Sequence, residues 1–489
     1  MSRTSTNERH DLLVGGERIA PASGEYVETM DPSTGEAFAE VAVAGESDVD
    51  RAVTAAREGF PYWRDTGPVE RGQTLYRVAE LVREYADELA RLETRDQGKP
   101  RSQARSDVLS AARYFEYYAG VADKLHGDTV PVGTGQVDYT VREPYGVAAQ
   151  IVPWNFPGNL FARGVAPALA AGNTTVVKPA PTTSLSAYRL AELCFSAGLP
   201  ESAINVVSGG GETGAALTNH ENVDTITFTG SVATGQRVME TAAGNVTPVT
   251  LELGGKNPAI VYQDADLAEA VSWIERGIFT NAGQVCSAAD RAIVHKSHYD
   301  EFVERIVDRA EAYELGPGDE DPDMGPLNSG EHFERVQEYV EIGEAEGATV
   351  ATGGNALNRK GYFLEPTVLA DVENDMQVAQ EEIFGPVLTV IPYGNDEDPI
   401  EIGNDVAYGL VAGVFTNDVR RAHRAARRLQ AGNVYVNKWF GDTNQTPFGG
   451  YKQSGIGREK GLEALNAYLQ TKNVAVNLET GQGSDLPGT

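Results

Sequence analysis

The sequence predicts an α/β protein built from two parallel-sheet units and a small β element. Three observations carry this. From residue 145 onward, short β-branched runs alternate with amphipathic helical patterns, the signature of βαβ units and a parallel sheet. The alternation pauses at the glycine pair Gly254–Gly255 and then resumes, which divides it into two units. Residues 125–144, "LHGDTVPVGTGQVDYTVREP", break the pattern with Pro and Gly punctuation and read as a hairpin-like insert. A chain of 489 residues has room for such a division.

Taken in order, the chain before residue 124 reads as mainly helical, with a capping box proposed at Ser47 and Asp50 in "SDVDRAVTAAREGF". After the insert, "YGVAAQIV", "TTVVK", "AINVVSG", "DTITFTG" and "TPVTLEL" read as strands. Between them lie the helical patterns "NLFARGVAPALAAG", "SLSAYRLAELCFSAG", "GETGAALTN" and "VATGQRVMETAAG". In the second unit "NPAIVY" is a strand, and "DLAEAVSWIERGIF" is a helix with Leu267, Val271, Ile274 and Ile278 on one face. "RAIVHK", "VLTVIPY", "VAGVFT" and "NVYVN" follow as further strands, and the C-terminal "TKNVAVNLETGQGSDLPGT" offers one strand and a polar tail.

Composition narrows the function classes. Asp and Glu number 71 against 40 Lys and Arg, a net charge of −31. Such a surface repels nucleic acid and anionic membranes, so neither is an expected partner. The acidic residues are scattered through long apolar segments, which fits a folded protein in a salt-rich cytoplasm where screening weakens self-repulsion. No apolar run approaches the ~18 residues of a membrane helix, and "MSRTSTNERHD" lacks an apolar signal region, so a cytoplasmic location is expected. Two cysteines without a C-x-x-C pattern argue against disulfides and zinc. His295 and His298 have H-x-x-H spacing but no further ligand cluster, and read as loop residues rather than a metal site.

Two glycine-rich turns could face a phosphate. "SGGGETGAAL" places Gly209, Gly211 and Gly214 at G-x-G-x-x-G spacing, but no acidic residue ends a following strand at the required distance. In "TITFTGSVATGQRV" a strand runs into Gly230–Ser231 and a helix follows, so amide groups and the helix dipole could meet an anion; an ordinary N-cap at Ser231 explains the same residues.

Seven stretches in order, "PWNFP", "VVKPA", "FTGS", "LELGGKNP", "GQVCS", "EEIFGPV" and "PFGGYKQSGIGRE", resemble the NAD(P)-dependent aldehyde dehydrogenase superfamily over nearly the whole chain. The resemblance implies a Rossmann-type cofactor domain (1–124 and 145–253), an α/β catalytic domain (254–453) and a small β oligomerisation element (125–144 and 470–489). It also implies a homodimer or homotetramer and oxidation of a small aldehyde to its acid.

It assigns roles as well. Cys286, alone a candidate for an inert buried thiol, matches the nucleophile that forms a thiohemiacetal and then a thioester. Asn155, otherwise a turn residue, matches the oxyanion donor. Glu252, otherwise a salt-bridged strand end, matches the base that activates water for thioester hydrolysis. Lys178 resembles the lysine on the adenosine ribose, Glu382 the acid on the nicotinamide ribose, and Phe384 the support of that ring; Trp154, Gly230 and Ser231 match positions near the ribose and phosphates. Cys194, among Leu190, Leu193 and Leu199, stays a filler.

The chain departs from the pattern at two places. Pro181 stands where NAD-preferring members often carry a Glu that repels a 2′-phosphate, so NADP as well as NAD is expected. Arg163 stands in "FARGVAPAL", as in succinate-semialdehyde dehydrogenases and in members acting on aromatic aldehydes, but the second arginine of the former is Thr280 here. With Phe156, Phe161 and Phe448 available for an apolar pocket, the expectation is a broad aliphatic or aromatic aldehyde. An acid semialdehyde, from succinate or 2-oxoglutarate, is the alternative. A cysteine hydrolase lacks a histidine beside Cys286, a CoA-acylating relative commonly lacks the base, and an inert lens-type relative has no use for Cys286, Glu252 and Asn155 together.

Overall fold

In the computed structural model, which describes residues 8–441 and 443–478, the strands of the first unit form one sheet. Its order is Gly455–Ile456, Val249–Glu252, Thr225–Thr229, Val147–Val152, Thr174–Pro179, Ile204–Val206, Leu12–Val14, Glu17–Ile19. The five central strands are parallel, and the edge pairs are antiparallel. From Val147–Val152 the chain winds outward through Thr174–Pro179 and Ile204–Val206. It then crosses back to Thr225–Thr229 and Val249–Glu252 on the other side. The winding reverses between Val147–Val152 and Thr225–Thr229, and a crevice opens beyond the carboxyl ends of strands at such a point.

The second unit is a seven-stranded sheet in the order Thr349–Thr352, Thr367–Ala370, Val387–Tyr393, Arg291–His295, Pro258–Val261, Val411–Phe415, Asn433–Val436. Only the first pair is antiparallel. Its five inner strands are buried on both faces and therefore read as apolar runs rich in Val, Ile and Ala. The insert folds as Thr129–Val130 and Gln136–Pro144, and Leu469–Asn477 pairs antiparallel with the longer strand along its whole length. No helix among the described residues is long and apolar enough to cross a membrane.

Two expectations change. The N-terminal region is not only helical: Glu8–His10, Leu12–Val14, Glu17–Ile19, Tyr26–Asp31 and Glu36–Ala42 are strands that precede the helices. The first helix starts at Glu46, its N-cap is Gly45, and the Gly45 amide donates to Asp48 at 3.0 Å, so Ser47 and Asp50 are not its box. The chain also returns to the first sheet after the second unit, at Gly455–Ile456. Residues 1–7, part of the stretch read for a signal region, and the tail from 479 lie outside the described residues.

Candidate active site

At the reversal point the chain leaves Val147–Val152 through Pro153, Trp154 and Asn155 and enters the helix Pro157–Ala171. Beside it Thr225–Thr229 runs into Gly230, Ser231 and the helix Val232–Ala243. Ser231 is that helix's N-cap, accepting from the Thr234 amide at 3.3 Å. The Gly230 amide donates to the Glu252 carbonyl at 3.0 Å, which ties the two strand ends together. These residues, with Glu252, Gly254, Cys286, Glu382 and Phe384, line one cavity of about 720 Å³ between the two sheets.

Cys286 follows a backbone kink in which Asn281 and Ala282 both have φ of 53°, a left-handed conformation that costs a non-glycine residue energy. A net of amides fixes it. Asn155 Nδ2 donates to the Gln284 carbonyl at 2.9 Å, Asn281 Nδ2 to the Asn155 carbonyl at 3.1 Å, and Gln284 Nε2 to the Asn281 carbonyl at 2.9 Å. Asn257 Nδ2 donates to the Cys286 carbonyl at 2.9 Å. The Cys286 amide itself has no protein acceptor among the described residues. Burial pushes the Cys286 thiol up to about 12, with Arg163 opposing the shift.

Glu252 is buried at the end of its strand, and neither carboxylate oxygen has a hydrogen-bond partner among the described residues. Burial pushes its pKa well above the carboxylate range, the Glu459 carboxylate adds to this, and Arg163 works against it. Glu382 accepts from the Gly255 amide at 3.1 Å, and burial raises it to about 7. Gly254 must be glycine, because a Cβ there would collide with the Glu382 carboxylate. Phe384, with φ of 62°, meets the Trp154 ring edge to face at 5.4 Å; His332 packs on both, with Nε2 at 2.8 Å from the Phe384 carbonyl oxygen. Because the other partner is a carbonyl, Nε2 is the donor, and burial holds His332 neutral with a pKa lowered to about 4.

Lys178 ends a buried strand with its ammonium paired to no carboxylate among the described residues, and burial lowers it to about 8. Its stem packs beside Gly214, so the glycine-rich turn borders Lys178 rather than the cavity. Pro181 opens a short 3₁₀ turn after that strand.

Of the expected pocket residues, Phe156, Arg163, Thr280 and Phe448 line the cavity. Phe161 does not: it faces the other side of its helix and is fully buried in the apolar core. The Thr280 hydroxyl donates back to the Arg276 carbonyl at 2.6 Å. Arg163 forms a buried ion pair with Glu459 and stacks over Phe448 at 4.6 Å. Burial is the largest single effect and opposes its charge, but Glu459 together with Tyr114, Glu252 and Cys286 outweighs it and holds the guanidinium above its ordinary value. Cys194 is fully buried in the helical core. His295 bonds Ser297 and Asn395, His298 bonds the Gln263 carbonyl, and no group of metal-ligating residues exists among those described.

The sequence reading gave no role to Lys99, Tyr114, His332, Asn444 or Glu459, all at or beside this cavity. Glu459 stood within a quoted motif; for the others only tertiary structure brings them in.

A doubly wound sheet whose reversal point faces a thiol and an unpaired carboxylate has the parts of an α/β oxidoreductase. Residues 19–474 match the aldehyde dehydrogenase family. Hydroxyisobutyraldehyde dehydrogenase of Mycolicibacterium austroafricanum is 45% identical over 472 residues, 96% of this chain and 94% of the relative. The mitochondrial benzaldehyde dehydrogenase of Antirrhinum majus is 45% identical over 474 residues, 96% and 89% of the two chains. The NAD+ complex of an aldehyde dehydrogenase from Bacillus cereus superposes with a TM-score of 0.95 at 44% identity, over 96% of this chain and 97% of that one. The chain belongs to the aldehyde dehydrogenase family and is an aldehyde-oxidising enzyme with its fold.

Proposed function

We propose that the enzyme converts a broad range of uncharged aliphatic or aromatic aldehydes to acids by covalent catalysis at Cys286, with NAD+ or NADP+ as oxidant. The observation that carries this is one cavity holding Cys286, Asn155 and a Glu252 carboxylate with both oxygens unpaired.

A buried ammonium paired to no carboxylate among the described residues, and a buried carboxylate raised toward neutrality, suit the hydroxyls of a dinucleotide: Lys178 would hold the adenosine ribose and Glu382 the nicotinamide ribose. Trp154, Phe384, Gly230 and Ser231 would border the rest. When bound, the nicotinamide accepts the hydride. NAD+ in the Bacillus cereus neighbour supports its use here, and Pro181 in place of an acidic residue supports NADP+ too.

Burial keeps the Cys286 thiol largely protonated, so the nucleophile is the thiolate fraction whose proton has passed to solvent, a charged form that Arg163 favours. Sγ then adds to the carbonyl carbon. The oxyanion is met by the Cys286 amide, which donates to no protein acceptor, and by the second Nδ2 hydrogen of Asn155, whose first is fixed on Gln284. After hydride loss leaves a thioester, Glu252 draws a proton from water, which attacks the acyl carbon and frees the thiol.

Glu459 already neutralises Arg163, which supports an uncharged aldehyde over a semialdehyde. The largely exposed sheet of Gln136–Pro144 and Leu469–Asn477 is proposed as the oligomerisation element of a homodimer or homotetramer. The test is reduction of NAD+ and NADP+ in molar KCl with benzaldehyde, a short aliphatic aldehyde and succinate semialdehyde in parallel. Oxidation of the uncharged aldehydes supports the proposal; a tenfold preference for the semialdehyde would replace it with the carboxylate-binding alternative.

A further inference from the structure

The wall of the cavity away from Lys178 is unusually polar. Ser106, Ser110 and Tyr114 recur every fourth residue on the helix Arg101–Ala119, which puts all three on one face, and that face lines the cavity. None of their hydroxyls has a protein hydrogen-bond partner among the described residues. Ser106 is exposed and Tyr114 is buried, so the row runs from solvent into the interior. Two more donors reach the same space: Arg163 Nη2 and Asn444 Nδ2 are buried and unpaired among the described residues. Buried polar groups in folded proteins nearly always have partners, so two unpaired buried donors, Arg163 Nη2 and Asn444 Nδ2, beside a row of three hydroxyls point to an occupant that supplies oxygen atoms.

Those oxygens belong to hydroxyls rather than to a carboxylate. Arg163 is the only one of the five groups that bears a charge, and the Glu459 carboxylate is already on it. Asp107, on the same helix and in the same lining, is paired with Lys99 Nζ at 2.7 Å, so that cation too is already matched. A hydroxyl both donates and accepts, which suits a row of Ser and Tyr hydroxyls beside amide and guanidinium donors.

Resting on the reading of this cavity as the aldehyde site, we propose that the preferred substrates are short hydroxylated aldehydes, with the hydroxyls held by Ser110, Tyr114, Asn444 and Arg163. A site built to bond a substrate hydroxyl discriminates strongly against the analogue that lacks it, because the site's own polar groups are then left unpaired.

The experiment compares three aldehydes of equal carbon number: propanal, lactaldehyde and glyceraldehyde. Each is assayed with the wild-type enzyme and NAD+, and kcat/KM is referred to the free carbonyl form. The expected result is a kcat/KM for lactaldehyde or glyceraldehyde at least about tenfold above propanal, the worth of a bond or two to a buried polar group. In Ser110→Ala and Asn444→Ala that ratio falls several-fold. Equal or better use of propanal, or a ratio that neither variant moves, overturns the hydroxyl proposal while leaving aldehyde oxidation intact. No oxidation of any of the three by a folded enzyme overturns the function reading itself.

Discussion

Arg163, in the wall of the Cys286 cavity, forms a buried ion pair with Glu459 behind it, and its guanidinium lies over the Phe448 ring at 4.6 Å. The pair sets the charge seen by a substrate and also the field at Glu252, because Glu459 raises the Glu252 pKa and Arg163 lowers it.

Glu459→Gln keeps the shape and removes the counter-charge. Succinate semialdehyde should then gain on propanal by about tenfold or more in kcat/KM, the scale of a hydrogen bond to a charged group. With one like charge gone, the Glu252 pKa falls, so the acid limb of the kcat profile moves to lower pH. Unchanged selectivity together with an unchanged acid limb would show that Glu459 controls neither.

The two thiols should behave as opposites. Cys194 is closed inside the helical core and burial raises its pKa; Cys286 opens on the cavity. In the native enzyme iodoacetamide should label Cys286 alone, slowly at neutral pH and about tenfold faster for each pH unit upward, since its thiol titrates at about 12. Denatured protein should show both. Cys286→Ala should give no native labelling and no aldehyde oxidation; native labelling at Cys194 would contradict the packing.

Dinucleotide affinity should peak over a narrow pH range. Glu382, raised to about 7, accepts from a ribose hydroxyl through an ionised oxygen only above that pH. Lys178, lowered to about 8, is a full ammonium donor only below that pH. NAD+ binding by calorimetry should therefore weaken below pH 7 and above pH 8. Glu382→Gln should lose the acid limb, and Lys178→Met the alkaline one. A flat profile between pH 6 and 9 would remove both groups from the ribose sites.

Much of this site could be read from the sequence, for a physical reason. The parallel strands are buried on both faces and connected by amphipathic helices, so their pattern is strong, and the residues at their carboxyl ends, Asn155, Gly230 and Glu252, fall together once the order of winding is known. The N-terminal strands were not legible. Glu8–His10 and Glu17–Ile19 are three residues long with charged, largely exposed side chains, and leave no period to detect. Lys99 and Asn444 were equally hidden, because a lysine after Gly98 and an asparagine in a loop look like surface residues until the fold encloses them. Phe161 misled for the converse reason: five residues beyond Phe156 on one helix, it points away from the cavity.

Glu252→Gln should separate the two halves of the reaction. The amide cannot take a proton from water, so the thioester on Cys286 should persist. Rapid mixing with NAD+ and an aldehyde should show a burst of reduced nicotinamide close to one per active site, followed by slow turnover. In the wild type, the raised Glu252 pKa means that the steady-state rate climbs with pH as the carboxylate ionises, and the variant should lose that climb. A variant with the wild-type steady-state rate would assign the base elsewhere.

Lys99 should hold the oxyanion donor in place. Its Nζ is fully enclosed, donating to Asp107 at 2.7 Å and to the Asn155 carbonyl at 2.9 Å, and it lies over the Phe156 ring at 4.1 Å. The backbone on which Asn155 turns its amide toward Cys286 is thus pinned by a charge. Lys99→Met removes the pin and strands the Asp107 carboxylate, at a stability cost of about 3–5 kcal/mol, the range for breaking a buried pair. Adding Asp107→Asn should return most of that stability by removing the orphan charge. It should not return activity, because the Asn155 carbonyl is then left with the neutral Asn281 amide as its single donor among the described residues: kcat should remain low in the double variant, by up to the ~10²–10³-fold that losing an oxyanion donor costs. Denaturant unfolding and steady-state kinetics on both variants decide the matter, since a purely structural Lys99 would have stability and kcat recover together.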